Sequence, residues 1–165
     1  MVKKKLSLDL TNIVIFFLIL FIISIIIYNF FYKIDSSNIS NLTDQWIYNV
    51  TEINSPDAVT KMFCKNGNLV GTVSQIIREG PDIKKYFEYF TKLPEIKVIN
   101  KKYNIVKVVD NIYINTAFIT WNWEGLEKPI IARMTFLFKN KCIFQLHSSA
   151  LPELNYDLKN ISGLP

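Results

Sequence analysis

The spacing of apolar positions divides most of the chain into a helical first half and a strand-rich second half. From about Ser40 to Ile53, apolar residues recur at steps of three and four, which predicts one buried face of an α-helix. Ser55 is a natural N-cap and Pro56 fits a first helical position, so a second, short helix is expected there. A third helix is predicted after Pro81 in "REGPDIKKYFEYFTKLP", with a short strand in "KNGNLVGTVS" before it.

After Pro94 the apolar period shortens to two, which predicts β-strands. We expect a long or broken strand around a turn at Asn100–Asn104, then strands near 112–124, 129–139 and 142–149. Segregated helices and antiparallel strands indicate the α+β class. The predicted architecture is three N-terminal helices packed on a curved antiparallel sheet, a cone-shaped roll whose cavity suits a ligand.

One long apolar run precedes this domain. Ile13–Tyr32 carries no charge, and twenty helical residues span about 30 Å, the thickness of a bilayer's hydrocarbon core. A cleaved signal peptide would have a shorter apolar region followed by small residues, whereas bulky residues follow here, which favours an uncleaved transmembrane anchor. Lysines at positions 3–5 then predict a single-pass membrane protein with a cytosolic N-terminus and a luminal or extracellular domain.

These patterns predict five regions: a cytosolic tail at 1–12, the anchor at 13–32, a polar linker at 33–39, the folded domain at 40–153 and a C-terminal tail at 154–165. Four glycosylation sequons agree with a luminal domain, and they begin at Asn38, Asn41, Asn49 and Asn160.

Charge and cysteine content narrow the remaining function classes. The net charge of +5 is too mild for the basic stripe of a nucleic-acid-binding protein. Cys64 and Cys142 either form a disulfide in an oxidising compartment or are two small buried apolar residues, and we favour the second interpretation. One histidine and two distant cysteines do not predict a metal site, and no cofactor is indicated.

The last predicted hairpin carries a family resemblance. The stretch "ARMTFLF…FQLHSSALP" resembles the nuclear transport factor 2-like superfamily, in the branch of SnoaL-like proteins and calcium/calmodulin-dependent kinase type II association domains. "NLVGTVS" (68–74) and "IKKYFEYF" (83–90) look like the short strand and third helix of that family. The resemblance covers about residues 40–153. The matching positions are Ala132, Arg133, Thr135, Phe136, His147, Ser148, Ser149, Ala150 and Pro152.

The resemblance implies a self-associating assembly or small-ligand-binding module, with a dimer as the expected homo-oligomer. The alternative is a small SnoaL-like lyase or isomerase acting on an apolar substrate. Where the family usually has a run of histidines, this chain has Gln145, Leu146 and His147, and Cys142 replaces an expected Trp. Chemistry that needs two histidines is therefore not implied.

The candidate site follows from strand periodicity. Gln145 and His147 share one face of a strand, and Arg133 lies on the adjoining strand. If these faces coincide, the three side chains would line the cavity and bind a small apolar or carboxylate ligand. The alternative is a structural role for Arg133 and His147. No activated nucleophile or cavity carboxylate marks a catalytic centre. The expected apolar walls are Trp121, Trp123, Tyr86 and Phe90.

Overall fold

A computed structural model describes residues 10–32, 35–72 and 76–150 of the chain. The chain divides into two compact units, Met1–Lys33 and Ile34–Pro165. The predicted C-terminal tail at 154–165, with its sequon at Asn160, lies outside the described residues, as do positions 1–9 of the predicted N-terminal tail.

In the first unit, the described residues form one helix, α1 (Leu10–Tyr32), of 23 residues. The apolar side chains described along it are largely solvent-exposed, as at Phe17 and Phe21. The hydroxyl of Ser24 donates to the carbonyl of Phe21 at 2.7 Å, so this polar side chain is satisfied within the helix. The apolar run therefore forms a helix, as the absence of charges and breakers predicts.

The prediction that this helix is a membrane anchor needs correction. Within the part of the chain that the structure describes, no helix combines the length and hydropathy needed to cross a bilayer. This finding contradicts the predicted transmembrane segment Ile13–Tyr32 and the single-pass localisation, with cytosolic N-terminus and luminal domain, that was built on it.

The described residues of the second unit form three helices and six strands. The helices are α2 (Ser36–Thr51), α3 (Pro56–Lys61) and α4 (Pro81–Phe90). The strands are β1 (Phe63–Val70), β2 (Ile77–Glu79), β3 (Lys97–Val109), β4 (Ile112–Asn122), β5 (Ile130–Lys139) and β6 (Cys142–Ala150). They form one sheet in the order β2-β1-β6-β5-β4-β3.

The α+β class agrees with the prediction, but the predicted fold differs in two respects. The described residues form four helices, α1 to α4, and α1 is not the predicted transmembrane helix. The sheet is mixed rather than antiparallel, because β1 lies parallel to β6 while the other neighbours are antiparallel. A parallel pair needs a long crossover between its strands, so local sequence patterns do not reveal it.

The helix boundaries follow from capping. Helix α2 begins at Ser36, inside the predicted linker and before the predicted start at Ser40, because the carboxylate of Asp35 accepts from the Asn38 N–H at 2.9 Å. Helix α3 begins as predicted, with Ser55 as N-cap and Pro56 in its first turn.

Strand β3 is longer than predicted. It runs through Asn100–Asn104 without a turn, because β4 pairs with it continuously from Lys101↔Ile119 to Lys107↔Tyr113. Since β3 is an edge strand, its polar and charged residues remain in solvent while the backbone pairing continues.

The core lies between the helices and one face of the sheet, and Trp46 of α2 is at its centre. Its ring contacts those of Phe136, Phe87 and Trp121 in edge-on geometry, with centroids 5.2, 5.9 and 6.1 Å apart. Such contacts stabilise a core beyond the burial of area alone.

A disulfide joins Cys64 to Cys142, with the Cα atoms 5.1 Å apart. The two residues come together because β1 and β6 start side by side, as the register Phe63↔Ile143 shows. The preferred interpretation of two unpaired, buried apolar residues was therefore wrong.

Candidate functional site

A pocket of about 270 Å³ lies between helices α2 and α4 and the inner face of the sheet. Its helical wall comes from Trp46, Tyr86, Phe87, Tyr89 and Phe90. Its other wall comes mainly from alternate residues of the central strands, which are Trp121, Ile130, Ala132, Met134, Leu146, Ser148 and Ala150. The volume is just below the usual range for ligand pockets, which begins at about 300 Å³.

The pocket lining includes the four predicted wall residues, which are Tyr86, Phe90, Trp121 and Trp123. The rings of Phe90 and Trp121 meet edge-on with centroids 5.4 Å apart. Together with Trp46, Trp121 on β4 and Trp123 just after it place all three tryptophans of the chain in the lining. Ligand binding by these residues stays a proposal.

The predicted polar residues of the site lie elsewhere. Arg133, Gln145 and His147 are exposed, and the pocket is lined instead by their strand neighbours Ala132 and Leu146. Because successive side chains of a strand point to opposite faces, the three residues share a face, but it is the outer face of the sheet. The expectation that they line the cavity was therefore wrong in its choice of face.

Three of the polar groups that line the pocket come from separate parts of the fold. The hydroxyls of Thr72, just after β1, and Ser148, on β6, are 2.6 Å apart. The hydroxyl of Tyr86, on α4, forms hydrogen bonds with the backbone N–H and the side chain of Thr72. We call Thr72, Ser148 and Tyr86 the hydroxyl chain.

Sequence reasoning missed two members of the hydroxyl chain, Ser148 and Thr72. Ser148 was named only as a position of the family resemblance, although it shares a face with the apolar Leu146. Thr72 had no signal of its own, because only its long-range contact with Ser148 gives it a role.

Gly71 allows the ring of Tyr86 to lie against the backbone. A Cβ atom at this position would be 2.6 Å from Cε2 of Tyr86, which is far inside van der Waals contact. Arg78 covers the ring, with its guanidinium carbon 5.0 Å from the centroid. Burial raises the pKa of Tyr86, while the hydrogen bonds from Thr72 and the charge of Arg78 oppose that rise. The phenol therefore stays protonated at neutral pH.

The lining carries no ionised carboxylate, imidazole, ammonium or guanidinium group among the residues that the structure describes. No group of three or more His, Cys, Asp or Glu side chains in those same residues could hold a metal ion. What the described pocket offers is an aromatic and aliphatic surface with a few hydroxyls.

The outer face of the sheet forms the second surface of interest. Phe118 and Ile131 are 44% and 43% exposed, and Phe118 pairs directly with Arg133. Thr135 pairs with His147 beside them. This face therefore mixes large apolar side chains with polar ones.

The predicted sequons differ in accessibility. Asn49 is buried, and its Nδ2 donates toward the carbonyl of Ala58 at 3.5 Å and approaches Sδ of Met62 at 3.3 Å. A glycan on this nitrogen is incompatible with the folded domain. Asn38 and Asn41 lie within α2, where Asn41 is exposed.

Comparison with known proteins identifies the fold. No protein-family model matches the chain, and no curated protein matches it. A Xanthomonas campestris structure described as a calcium/calmodulin-dependent protein kinase II association domain is 25% identical and covers 74% of this chain and 91% of its own, with a TM-score of 0.63.

Two further structures share the fold at lower identity. A nuclear transport factor 2-like protein of unknown function from Pseudomonas putida is 10% identical, covers 72% of this chain and 88% of its own, and has a TM-score of 0.61. A Streptomyces avermitilis protein of the same family, described as a dehydratase, is 8% identical, covers 70% and 94%, and also has a TM-score of 0.61.

The chain therefore has a nuclear transport factor 2-like fold, as the resemblance of its last hairpin implied. The class that fold and pocket define is an α+β domain with an apolar cavity between helices and sheet.

Proposed function

We propose that the domain binds a small, mainly apolar molecule in the pocket between α2, α4 and the sheet. The observation that carries the proposal is the lining itself, in which aromatic and aliphatic side chains converge around a few hydroxyls. This combination is typical of ligand sites, where apolar contact supplies affinity and a few polar groups fix orientation.

The lyase or isomerase alternative needs a carboxylate base within reach of the substrate. None of the lining residues that the structure describes is an aspartate or a glutamate. The composition of the lining therefore favours ligand binding over lyase or isomerase catalysis as the function of the pocket.

The test compares substitutions on opposite faces of the sheet. Ala132→Leu extends a side chain into the pocket, whereas Arg133→Ala and His147→Ala alter the outer face. Naphthalene is a suitable probe, since a 150 Å³ cavity already binds benzene. Titration calorimetry on the full chain should show that Ala132→Leu weakens binding at least about tenfold, which corresponds to about 1.4 kcal/mol.

The two outer-face variants should bind naphthalene as the wild type does. Ala150→Leu, at the exposed end of β6, is the second pocket variant if Ala132→Leu does not fold. Equal binding by the wild type and both pocket variants would contradict the proposal.

Self-association through the outer face of the sheet is a second candidate function, with a second copy of the chain as the partner. The exposed pair Phe118 and Ile131 supports it, because large apolar side chains on a sheet surface mark contact sites. A neighbour described as an association domain supports it as well.

Light scattering should give a dimer for the wild-type chain and a smaller mass for Phe118→Lys. Ile77→Lys is the matched control, because Ile77 is 65% exposed but lies on β2, at the far edge of the sheet from β4. A wild-type monomer would exclude self-association through this face.

A further inference from the structure

We infer that the pocket selects an apolar molecule that carries one uncharged oxygen, either a hydroxyl or a carbonyl, and that the hydroxyl chain of Thr72, Ser148 and Tyr86 binds this oxygen. The inference rests on the proposed ligand-binding function and names the chemical class of the ligand.

The position of the hydroxyl chain is the first argument. Thr72 and Ser148 both line the pocket, and so does Tyr86. They come from the segment after β1, from β6 and from α4, and their hydrogen bonds link these three parts of the fold. The hydroxyl chain is therefore fixed by the fold before a ligand binds, which lowers the entropic cost of binding.

The hydrogen-bond inventory is the second argument. Each hydroxyl has one hydrogen to donate and two lone pairs to accept with. Two hydrogen bonds link the three hydroxyls, one between Thr72 and Ser148 and one between Thr72 and Tyr86. These two bonds use two of the three O–H hydrogens, so one O–H of the hydroxyl chain is not used within it, and lone pairs remain as well. One spare donor beside spare acceptors matches a ligand carbonyl or hydroxyl.

The charge of the surroundings is the third argument. A carboxylate or an amine loses its hydration on entering the pocket, and the described lining contains no ion that could pair with it. The cation that contacts the hydroxyl chain is Arg78, and it lies over the ring of Tyr86 while its Nη1 donates to the carbonyl of Ile76 at 3.3 Å. An uncharged head therefore fits the site better than an ionised one.

The close approach of Gly71 to Tyr86 completes the site. With no Cβ at position 71, the ring lies directly against the backbone and its oxygen stays next to Thr72. A larger residue would push the ring away from this contact and separate the phenol from the other two hydroxyls.

The test uses three probes that share one ring system and the full-length chain. Naphthalene has no polar group, naphthol has a neutral hydroxyl and naphthoate has a carboxylate. Titration calorimetry near neutral pH should rank naphthol first, about fivefold tighter than naphthalene, since one neutral hydrogen bond contributes that much. Naphthoate should bind more weakly than naphthalene.

The matched variant is the double substitution Thr72→Val with Ser148→Ala, which removes both hydroxyls at nearly constant shape. It should bind naphthalene as the wild type does and lose the preference for naphthol. Naphthalene binding also reports whether the variant pocket is intact. If the double variant does not fold, Tyr86→Phe replaces it, with the same expected loss of preference.

The outcomes separate this inference from the proposed function. If naphthalene binds and naphthol shows no preference, or if the variant keeps the preference, the ligand class is wrong while the binding pocket stands. Tighter binding of naphthoate than of naphthol also overturns the inference. If no probe binds to the wild type, the proposed function and the inference fail together.

Discussion

On the central strands, a shift of one residue decides whether a side chain meets the pocket or the solvent. His147 is the only histidine of the chain, and its rarity drew attention to it, yet it is exposed on the outer face. Its neighbour Ser148 lines the pocket and contacts Thr72. Periodicity placed Gln145 and His147 on one face and left the face of Arg133 open, and it does not state which face the helices cover.

Tyr103 provides a residue-scale prediction on pH. Its hydroxyl donates to Oδ1 of Asp44, which also pairs with Nζ of Lys101 at 2.6 Å. Burial raises the pKa of Tyr103, and the hydrogen bond and negative charge of Asp44 raise it further. Above about pH 10 the unfolded chain loses this proton while the folded chain keeps it, so stability falls as pH rises.

Tyr103→Phe should therefore lower stability at neutral pH, by about 1 kcal/mol for the lost hydrogen bond. The difference from the wild type should shrink as pH rises above about 10, because the variant has no such proton to lose. Urea unfolding across this pH range measures the effect. Tyr89→Phe is the control, since Tyr89 is 73% exposed, and parallel curves for wild type and Tyr103→Phe would contradict the prediction.

At the scale of elements, local signals predicted best where a cap or a proline begins a helix. Helix α3 starts as the Ser55–Pro56 pair predicts, and α4 starts at Pro81. The start of α2 was placed too late because the apolar face begins at Ile39, whereas the helix itself begins at the Asp35 cap. A cap is a local interaction, as is the spacing of apolar residues. The start of a helix can therefore be predicted from the sequence when the capping residue and the apolar face are considered together.

Ser55→Ala tests the cap of α3. The Oγ of Ser55 accepts from the Ala58 N–H at 3.2 Å, and losing this bond should cost about 1 kcal/mol of stability. Ser55→Asp keeps an acceptor at the same place and should retain most of that stability. Denaturant unfolding of the two variants makes the comparison, and equal losses in both would show that the cap is not the cause.

At the scale of the whole molecule, the disulfide closes a long loop within the second unit. It joins residues 78 positions apart and connects β1 to β6, which form the one parallel pair among the described strands. Such a cross-link stabilises chiefly by restricting the unfolded chain, and its effect grows with loop length.

Replacing both cysteines by alanine should cost about 4 kcal/mol and lower the melting temperature by on the order of 10 °C. Reducing agent should have a similar effect on the wild type and none on the Cys64→Ala, Cys142→Ala variant. Calorimetric melts with and without reductant compare the four samples. If reductant does not change the melting temperature of the wild type, a stabilising role for the disulfide is contradicted.

The sequence by itself determined the elements whose causes are local. Caps and prolines placed helices, period-two alternation placed the long strands, and the last hairpin carried the resemblance to a nuclear transport factor 2-like fold. The apolar run at 13–32 likewise predicted a helix, and Leu10–Tyr32 is one. Each of these depends on residues within a few positions of one another.

Only the tertiary structure decided the features that join distant segments. The parallel contact of β1 with β6, the Cys64–Cys142 disulfide and the approach of Thr72 to Ser148 all link positions more than seventy residues apart. The face of the sheet that forms the pocket was decided in the same way, since it depends on where α2 and α4 pack. Local patterns carry no information on such pairings, because many folds satisfy the same hydrophobic period.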